Sequence, residues 1–311
     1  MSARSVVAIV GATATGKTAL GEAVAREIEG EVVCADSRQV FRELEIGTGK
    51  PDRAQRAAPP HHLFEALALE EKPSAGWYAR AAREACAAIH AKGGVPVLVG
   101  GSGLYLHAAR VGLSAAPPEA PEVRLRLRAE AAAAGAAELH RRLAAVDPES
   151  AARLDPNDAQ RITRALEVWE SSGQPLSWWH AQPSAPAVEG TWQVVELTLE
   201  PRELVNRISV RTRGMFEGGL VEETRALLAR GRGPALRALH AIGYDEAWDL
   251  IEARLDRAAA EARTDLRTAQ LAKRQRTWFR HQISAVRVAA DGLEPARLLE
   301  RTLAALRARP G

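Results

Sequence analysis

Apolar and polar positions alternate between two periods through the first hundred residues. Val6 to Val10 is a continuous apolar run, the pattern of a strand covered on both faces. From Thr18 to about Glu29, apolar Leu20, Val24 and Ile28 recur at helical spacing. Glu31 to Cys34 reads as a second buried strand, Trp77 to His90 as a helix, and Val95 to Val99 as a third strand. Such alternation predicts a doubly wound parallel sheet. The stretch Ala115 to Pro121, rich in Pro and Ala, marks a boundary, and residues 122 to about 180 carry only helical patterning. There Leu139 to Val146 leads into Asp147-Pro148, and Asp155 to Asp158 cap a helix running through Gln160, Arg161, Arg164, Leu166 and Val168. Trp192 to Leu199 alternates like a strand returning to the main sheet. Three helices are predicted after it, about Arg202 to Phe216, Val221 to Arg230 and Tyr244 to Leu255, then a last long helix over about Glu261 to Arg280.

Between the first strand and the first helix stand Gly11, Ala12, Thr13, Ala14, Thr15, Gly16, Lys17 and Thr18. They fit G-x-x-x-x-G-K-[ST] with strand and helix in register. Glycines at the ends of such a loop let backbone N–H groups and the positive end of the helix converge on phosphate oxygens. Lys17 adds a point charge, and the Thr18 hydroxyl is placed to help hold Mg2+. The fold class expected is therefore α/β: a P-loop NTPase-like parallel sheet flanked by helices, with an inserted all-helical subdomain. The expected divisions are 1–114 for the first part of the core, 115–190 for the insertion and 191–311 for the rest of the core with its basic helices.

Ligands of doubly wound sheets lie beyond the carboxyl ends of the strands. The second strand ends in Ala35, Asp36, Ser37, Arg38 and Gln39, which puts Asp36 at the phosphate crevice, where it can cap the next segment or accept a proton. The third strand runs into Gly100, Gly101, Ser102 and Gly103, with no acid where hydrolytic NTPases place a Walker B Asp. That lowers the case for a motor or switch. Ile46 to Pro51 is a turn-rich loop carrying one cation. His61 and His62 lack partner ligands at metal spacing and read as loop residues that pack or hydrogen bond near the crevice.

A chain of 311 residues, 46% apolar, can bury a sizeable core. Cys34 and Cys86 are too few for a disulfide framework, and no apolar run suggests a signal peptide or a membrane span. A cytoplasmic protein is expected. The net charge of +3 is unevenly spread, since residues 201–311 carry 21 Lys and Arg against 14 Asp and Glu. Arg263, Arg267, Lys273, Arg274, Arg276 and Arg280, with Trp278 and Phe279, make the last long helix a candidate nucleic-acid surface. The high Arg and Ala content also fits genome composition, so Arg richness alone argues little.

Taken together, these segments resemble the tRNA dimethylallyltransferases. The likeness rests on GATATGKT at 11, DSRQVF at 36, IGTGKP at 46, HHLF at 61, VPVLVGGSGLY at 95, DPNDAQRITRALEV at 155, AIGYDE at 241 and AKRQRTWFR at 272. It implies transfer of a dimethylallyl group from dimethylallyl diphosphate to N6 of adenosine 37 in the anticodon loop of tRNAs reading codons that begin with U, with release of diphosphate. By this resemblance the loop from Gly11 to Thr18 holds the diphosphate with Mg2+, and Lys17 stabilises the leaving group. Asp36 is the carboxylate that accepts a hydrogen bond or proton from N6, and Arg211 a further catalytic cation. The tRNA partners implied are Asp36, Ser37, Arg38, Gln39, Ser102, Gln160, Arg161, Ile162, Thr163, Arg164, Lys273, Arg274, Arg276 and Arg280, in a monomer with no membrane or obligate protein partner. The family has Thr at Ser102 and Tyr at Phe41; Ser keeps the hydroxyl, while Phe41 receives no role.

Three rivals stand beside this. A small-molecule P-loop kinase would bind ATP and carry a mobile arginine-bearing lid, but residues 122–180 exceed most such lids. A prenyltransferase acting on free AMP or ATP needs neither the insertion nor the basic helix. A non-catalytic RNA-binding protein does not require Lys17, Thr18 and Asp36 together.

Overall fold

The computed structural model describes residues 4–182 and 187–308. The chain opens with β1 (Ser5–Gly11), α1 (Lys17–Glu27), β2 (Gly30–Cys34), β3 (His61–His62), α2 (Ala75–Ala91), β4 (Val95–Gly100) and α3 (Gly103–Arg110). Five helices follow: α4 (Pro121–Ala134), α5 (Ala136–Val146), α6 (Pro148–Arg153), α7 (Ala159–Ser172) and α8 (Leu176–Ala181). The chain then returns through β5 (Thr191–Thr198), α9 (Pro201–Glu217), α10 (Leu220–Ala229), α11 (Gly233–Leu239), α12 (Tyr244–Ile251), α13 (Arg257–Gln282), β6 (Val286–Ala289) and α14 (Pro295–Arg307).

The strands form one six-stranded parallel sheet in the order β3-β2-β4-β1-β5-β6. β1 shows why its sequence is a continuous apolar run. Val6, Ala8 and Val10 enter one core with Tyr78, Ala82 and Ile89 of α2, while Val7 and Ile9 enter another with Leu20 and Val24 of α1. With a side-chain period of two and both faces covered, every position must be apolar. Each such Val or Ile contributes about 1.5–3 kcal/mol on burial. β1 lies between β4 and β5, so the loop leaving it opens into the crevice between the ends of β4 and β5.

The chain divides into two units, Met1–Arg110 with Val188–Gly311, and Val111–Ala187. The divisions fall a few residues before those read from the sequence. The second unit is entirely helical among its described residues and has its own core of Leu127, Leu139, Leu143, Ile162, Ala165 and Leu166. Its buried carboxylate Glu167 accepts hydrogen bonds from the Ala120 N–H, Arg124 and Arg164.

Three details depart from the sequence reading. His61 and His62, read as loop residues, pair as the short strand β3 with Val32 and Val33 of β2. Backbone pairing, not a side-chain pattern, makes that strand. Four helices rather than three lie between β5 and α13, since α11 forms behind Gly233 and Pro234. The basic helix is not the last element either: β6 extends the sheet beside β5, and α14 covers it with Leu298, Leu299, Leu303 and Leu306.

Candidate active site

α1 begins at Lys17 directly behind Gly16, whose φ of +89° lies in the left-handed region that glycine adopts without strain. The turn tucks Lys17 inward, where its Nζ donates to the Ala12 carbonyl at 3.2 Å beside the Thr15 hydroxyl, which donates to the same oxygen at 2.9 Å. Burial pulls the Lys17 pKa from 10.5 down to about 8; the Asp36 charge works against this and Arg211 adds to it. Lys17 and Thr18 face a cavity of about 420 Å³ that also takes in Thr13, Asp36, Ser102 and Arg211. Its size suits a small phosphorylated ligand. Gly11 instead backs onto the Leu197 carbonyl of β5, and Ala12 and Thr15 line a separate cavity of about 160 Å³.

Asp36 sits where β2 ends. Its Oδ1 accepts the Arg38 N–H at 2.8 Å and the Gln39 N–H at 3.4 Å, so one oxygen caps the following turn. No described group hydrogen bonds to Oδ2, which is left as the remaining acceptor of a residue that lines the cavity. Both sequence readings of Asp36 are thus compatible, each with its own oxygen. The Ser102 Oγ accepts the Ser37 N–H at 2.9 Å and keeps its own proton for a ligand. Arg38 reaches across to donate to the Leu239 carbonyl at 2.8 Å. The Gln39 amide is buried, and its Nε2 donates to the carbonyls of Thr48 and Gly49, both at 3.1 Å. Its donors therefore hold a loop rather than wait for RNA.

That loop, Ile46 to Lys50, is tied down from every side. Glu223 accepts the Glu45 and Ile46 N–H groups at 2.8 and 2.9 Å, and the Tyr244 hydroxyl, itself donating to Glu223, accepts the Gly47 N–H at 3.2 Å. Arg211 of α9 closes the arrangement, donating to the Thr48 carbonyl at 2.9 Å and the Thr13 hydroxyl at 3.0 Å. Lys50, the loop's cation, is turned away from the cavity and donates to the Phe41 carbonyl at 2.9 Å. Arg207, one turn before Arg211, pairs with Glu203 at 2.8 Å.

The basic helix α13 divides its cations among three tasks. Arg263 and Arg267 are bound to the buried Asp245 and Glu246 and the half-buried Asp249, so they neutralise these acids and are not free for RNA. Arg274 lines the large cavity, Arg276 and Arg280 line the smaller one, and Lys273 is exposed. One residue the sequence reading passed over, Gln275, faces inward, its Oε1 accepting the Thr13 N–H at 2.8 Å. The only sequence signal was its place in the AKRQRTWFR segment, where its neutral side chain stands out among cations.

In α7 the segment expected to meet tRNA separates into two faces. Gln160 and Arg161 are exposed. Ile162 and Thr163 are not RNA contacts through their side chains, because they are 0% and 4% exposed within the unit's own core. Arg164 is occupied by Glu167 and the Pro117 carbonyl. Among the described residues no group of three or more His, Cys, Asp and Glu is placed to hold a metal ion, and no helix is long and apolar enough to cross a membrane.

A G-x-x-x-x-G-K-T loop, a strand-end carboxylate and a part-buried arginine meet around one cavity of a P-loop-like α/β enzyme. Sequence comparison assigns the family. The model described as IPP transferase matches residues 39–282, and that described as isopentenyl transferase matches residues 4–58. The chain belongs to the IPP transferase family. It is 47% identical over 290 residues to a tRNA dimethylallyltransferase of Halorhodospira halophila, covering 92% of this chain and 93% of the relative. A protein of the same name from Sorangium cellulosum is 44% identical, with 89% and 88% covered. The full-length tRNA isopentenylpyrophosphate transferase of Bacillus halodurans superposes with a TM-score of 0.69 at 30% identity, covering 98% of this chain and 97% of that one. A eukaryotic dimethylallyltransferase solved acting on tRNA shares the fold, with a TM-score of 0.80 at 24% identity over 97% of this chain and 78% of its own.

Proposed function

We propose that this chain transfers a dimethylallyl group from dimethylallyl diphosphate to N6 of adenosine 37 in the anticodon loop of tRNAs that read codons beginning with U. The observation that carries the reading is the meeting of Lys17, Thr18, Asp36, Ser102 and Arg211 around one cavity. The N6 nitrogen attacks C1 of the allyl group, the C1–O bond breaks, and its electrons leave on the diphosphate. An adenine amino group is a weak nucleophile, and Asp36, with Oδ2 open, takes the N6 proton as the bond forms. Negative charge grows on the leaving oxygen, and Lys17 and Arg211, which line the same cavity, are the cations that would stabilise it. Among the loop residues the stabilising groups are the Lys17 ammonium, the Thr13 and Thr18 hydroxyls and the amides other than that of Thr13, which already has a protein partner.

Mg2+ fits this donor set. Thr18 lines the cavity and its hydroxyl has no hydrogen-bond partner among the described residues, and this hard cation keeps waters and substrate phosphates as its other ligands. When bound it would neutralise charge on the diphosphate. The target adenine must leave its stack, which costs a few kcal/mol and is least in a single-stranded loop. Gln160 and Arg161 of the helical unit and Lys273, Arg274, Arg276 and Arg280 of α13 supply exposed or cavity-lining polar groups for the RNA. The protein works as a cytoplasmic monomer.

The test is incubation with Mg2+, radiolabelled dimethylallyl diphosphate and an unmodified anticodon stem-loop with adenosine at positions 36, 37 and 38, beside samples containing AMP or no RNA. Label on adenosine 37 supports the reading. Label on AMP alone, or none on either acceptor, refutes it.

A further inference from the structure

Gln275 is a neutral side chain within a run of cations, and it is turned toward the phosphate loop. Its Oε1 accepts the Thr13 N–H at 2.8 Å and its Nε2 donates to the Gly101 carbonyl at 3.0 Å. One carboxamide thereby ties the phosphate loop to the turn after β4. That turn is shaped to receive α13: a Cβ on Gly101 would stand 2.4 Å from the Gln275 Nε2, and one on Gly103 would stand 2.2 Å from the Trp278 indole. Both tethered points continue into the site. The Thr13 hydroxyl is bonded by Arg211, and Ser102, next to Gly101, holds the Ser37 N–H beside Asp36. The carboxamide thus stands between the two halves of the site.

We propose that Gln275 is a positioning residue for donor binding, holding the phosphate loop in register with the Asp36–Ser102 side; this rests on the reading of the loop as the diphosphate site. Without it the Thr13 N–H has no partner in the protein, and a part-buried donor left so turns toward solvent. Thr13 then leaves Arg211, and the diphosphate meets a loop that must first be ordered. Lys273, Arg274, Arg276 and Arg280 take no part in either hydrogen bond of Gln275. Donor affinity should fall while RNA affinity holds.

Two variants separate the hydrogen bonds from packing. Gln275→Met keeps the length and loses both bonds. Gln275→Glu keeps the acceptor for Thr13, loses the donor to Gly101 and adds a negative charge beside the diphosphate. For Gln275→Met the KM for dimethylallyl diphosphate should rise about tenfold, equivalent to about 1.4 kcal/mol, with kcat within about threefold of wild type. The stem-loop Kd from filter binding should stay within about twofold, because phosphate contacts set it. Hydrogen–deuterium exchange at the Thr13 amide, read without substrate, should quicken. For Gln275→Glu the donor KM should rise further, by about thirtyfold or more, since like charges repel. An unchanged donor KM in both variants, beside an active wild type, overturns the proposal. So does a KM rise matched by equal loss of RNA affinity and a lower Tm, which is the pattern of general damage to α13. A wild-type protein that transfers no label in this assay removes instead the diphosphate reading on which the proposal stands.

Discussion

Lys17 is the clearest case in which function and stability pull apart. The lysine is buried behind its loop, and its pKa stands at about 8 instead of 10.5 because burial disfavours the ammonium. That gap corresponds to about 3 kcal/mol. The sign follows from linkage: below pH about 8 both folded and unfolded chains carry the charge, so the folded state bears the whole cost. The cost fades as the pH rises toward 10.5, where the unfolded lysine also becomes neutral. Lys17→Met removes the cost at pH 7 but also the hydrogen bond to the Ala12 carbonyl, which offsets about 1 kcal/mol. A net gain of about 2 kcal/mol in unfolding free energy is expected, measured by denaturant titration. Diphosphate affinity moves the other way: a lost charge-assisted bond is about 1.5–3 kcal/mol, or about 10–100-fold in Kd by calorimetry with inorganic diphosphate. In the wild type, donor kcat/KM should decline through pH about 8, whereas kcat stays flatter because bound diphosphate draws the lysine pKa back up. A Lys17→Met protein less stable than wild type at pH about 7, with wild-type donor kcat/KM level up to pH about 9.5, would refute the argument that the fold holds this cation against its burial.

The other predictions address single residues. Asp36→Asn keeps an oxygen to accept the Arg38 N–H, so fold and RNA affinity should persist while single-turnover transfer slows by about 10²–10⁴-fold; a rate within about threefold of wild type removes Asp36 as the base. Ile162→Ala should cost about 2–5 kcal/mol in a denaturant melt, since the side chain is wholly buried among Leu139, Leu143 and Leu166. Arg161→Ala, on the exposed side of the same helix, should leave the melt unchanged and reduce the salt dependence of stem-loop binding by about one phosphate contact. Arg267→Ala should lower Tm, because it unpairs the fully buried Glu246 from one of its two arginines, and leave the salt dependence of RNA binding as it was.

The sequence by itself determined what depends on short stretches of chain. A five-residue run, apolar at every position, rich in Val and Ile and ending in glycine, reads as a strand buried on both faces, and a G-x-x-x-x-G-K-T loop behind it needs no distant partner to be recognised. Asp36 was legible for the same reason, standing two residues beyond the end of β2. α14 was legible too, for Leu298, Leu299, Leu303 and Leu306 have helical spacing, although that signal was passed over. β6 was not, because its four residues at the edge of the sheet become a strand only by pairing with β5.

Tertiary structure decided which polar groups are spent inside the protein. Seven cations on α13 look alike in sequence, yet Arg263 and Arg267 serve Asp245, Glu246 and Asp249 of α12, the first two of them buried. The resemblance took the segment from Gln160 to Arg164 as a block, and only packing showed that Ile162 and Thr163 belong to the core face of α7 while Gln160 and Arg161 face outward. Thr13 and Gln275 stand 262 residues apart, so their hydrogen bond leaves no periodic trace in the chain. Local sequence records the conformation of a segment, because backbone sterics and side-chain periodicity act over a few residues. Which carbonyl, carboxylate or amide a buried side chain will meet is set by the docking of whole elements, and that information exists only once they are folded together.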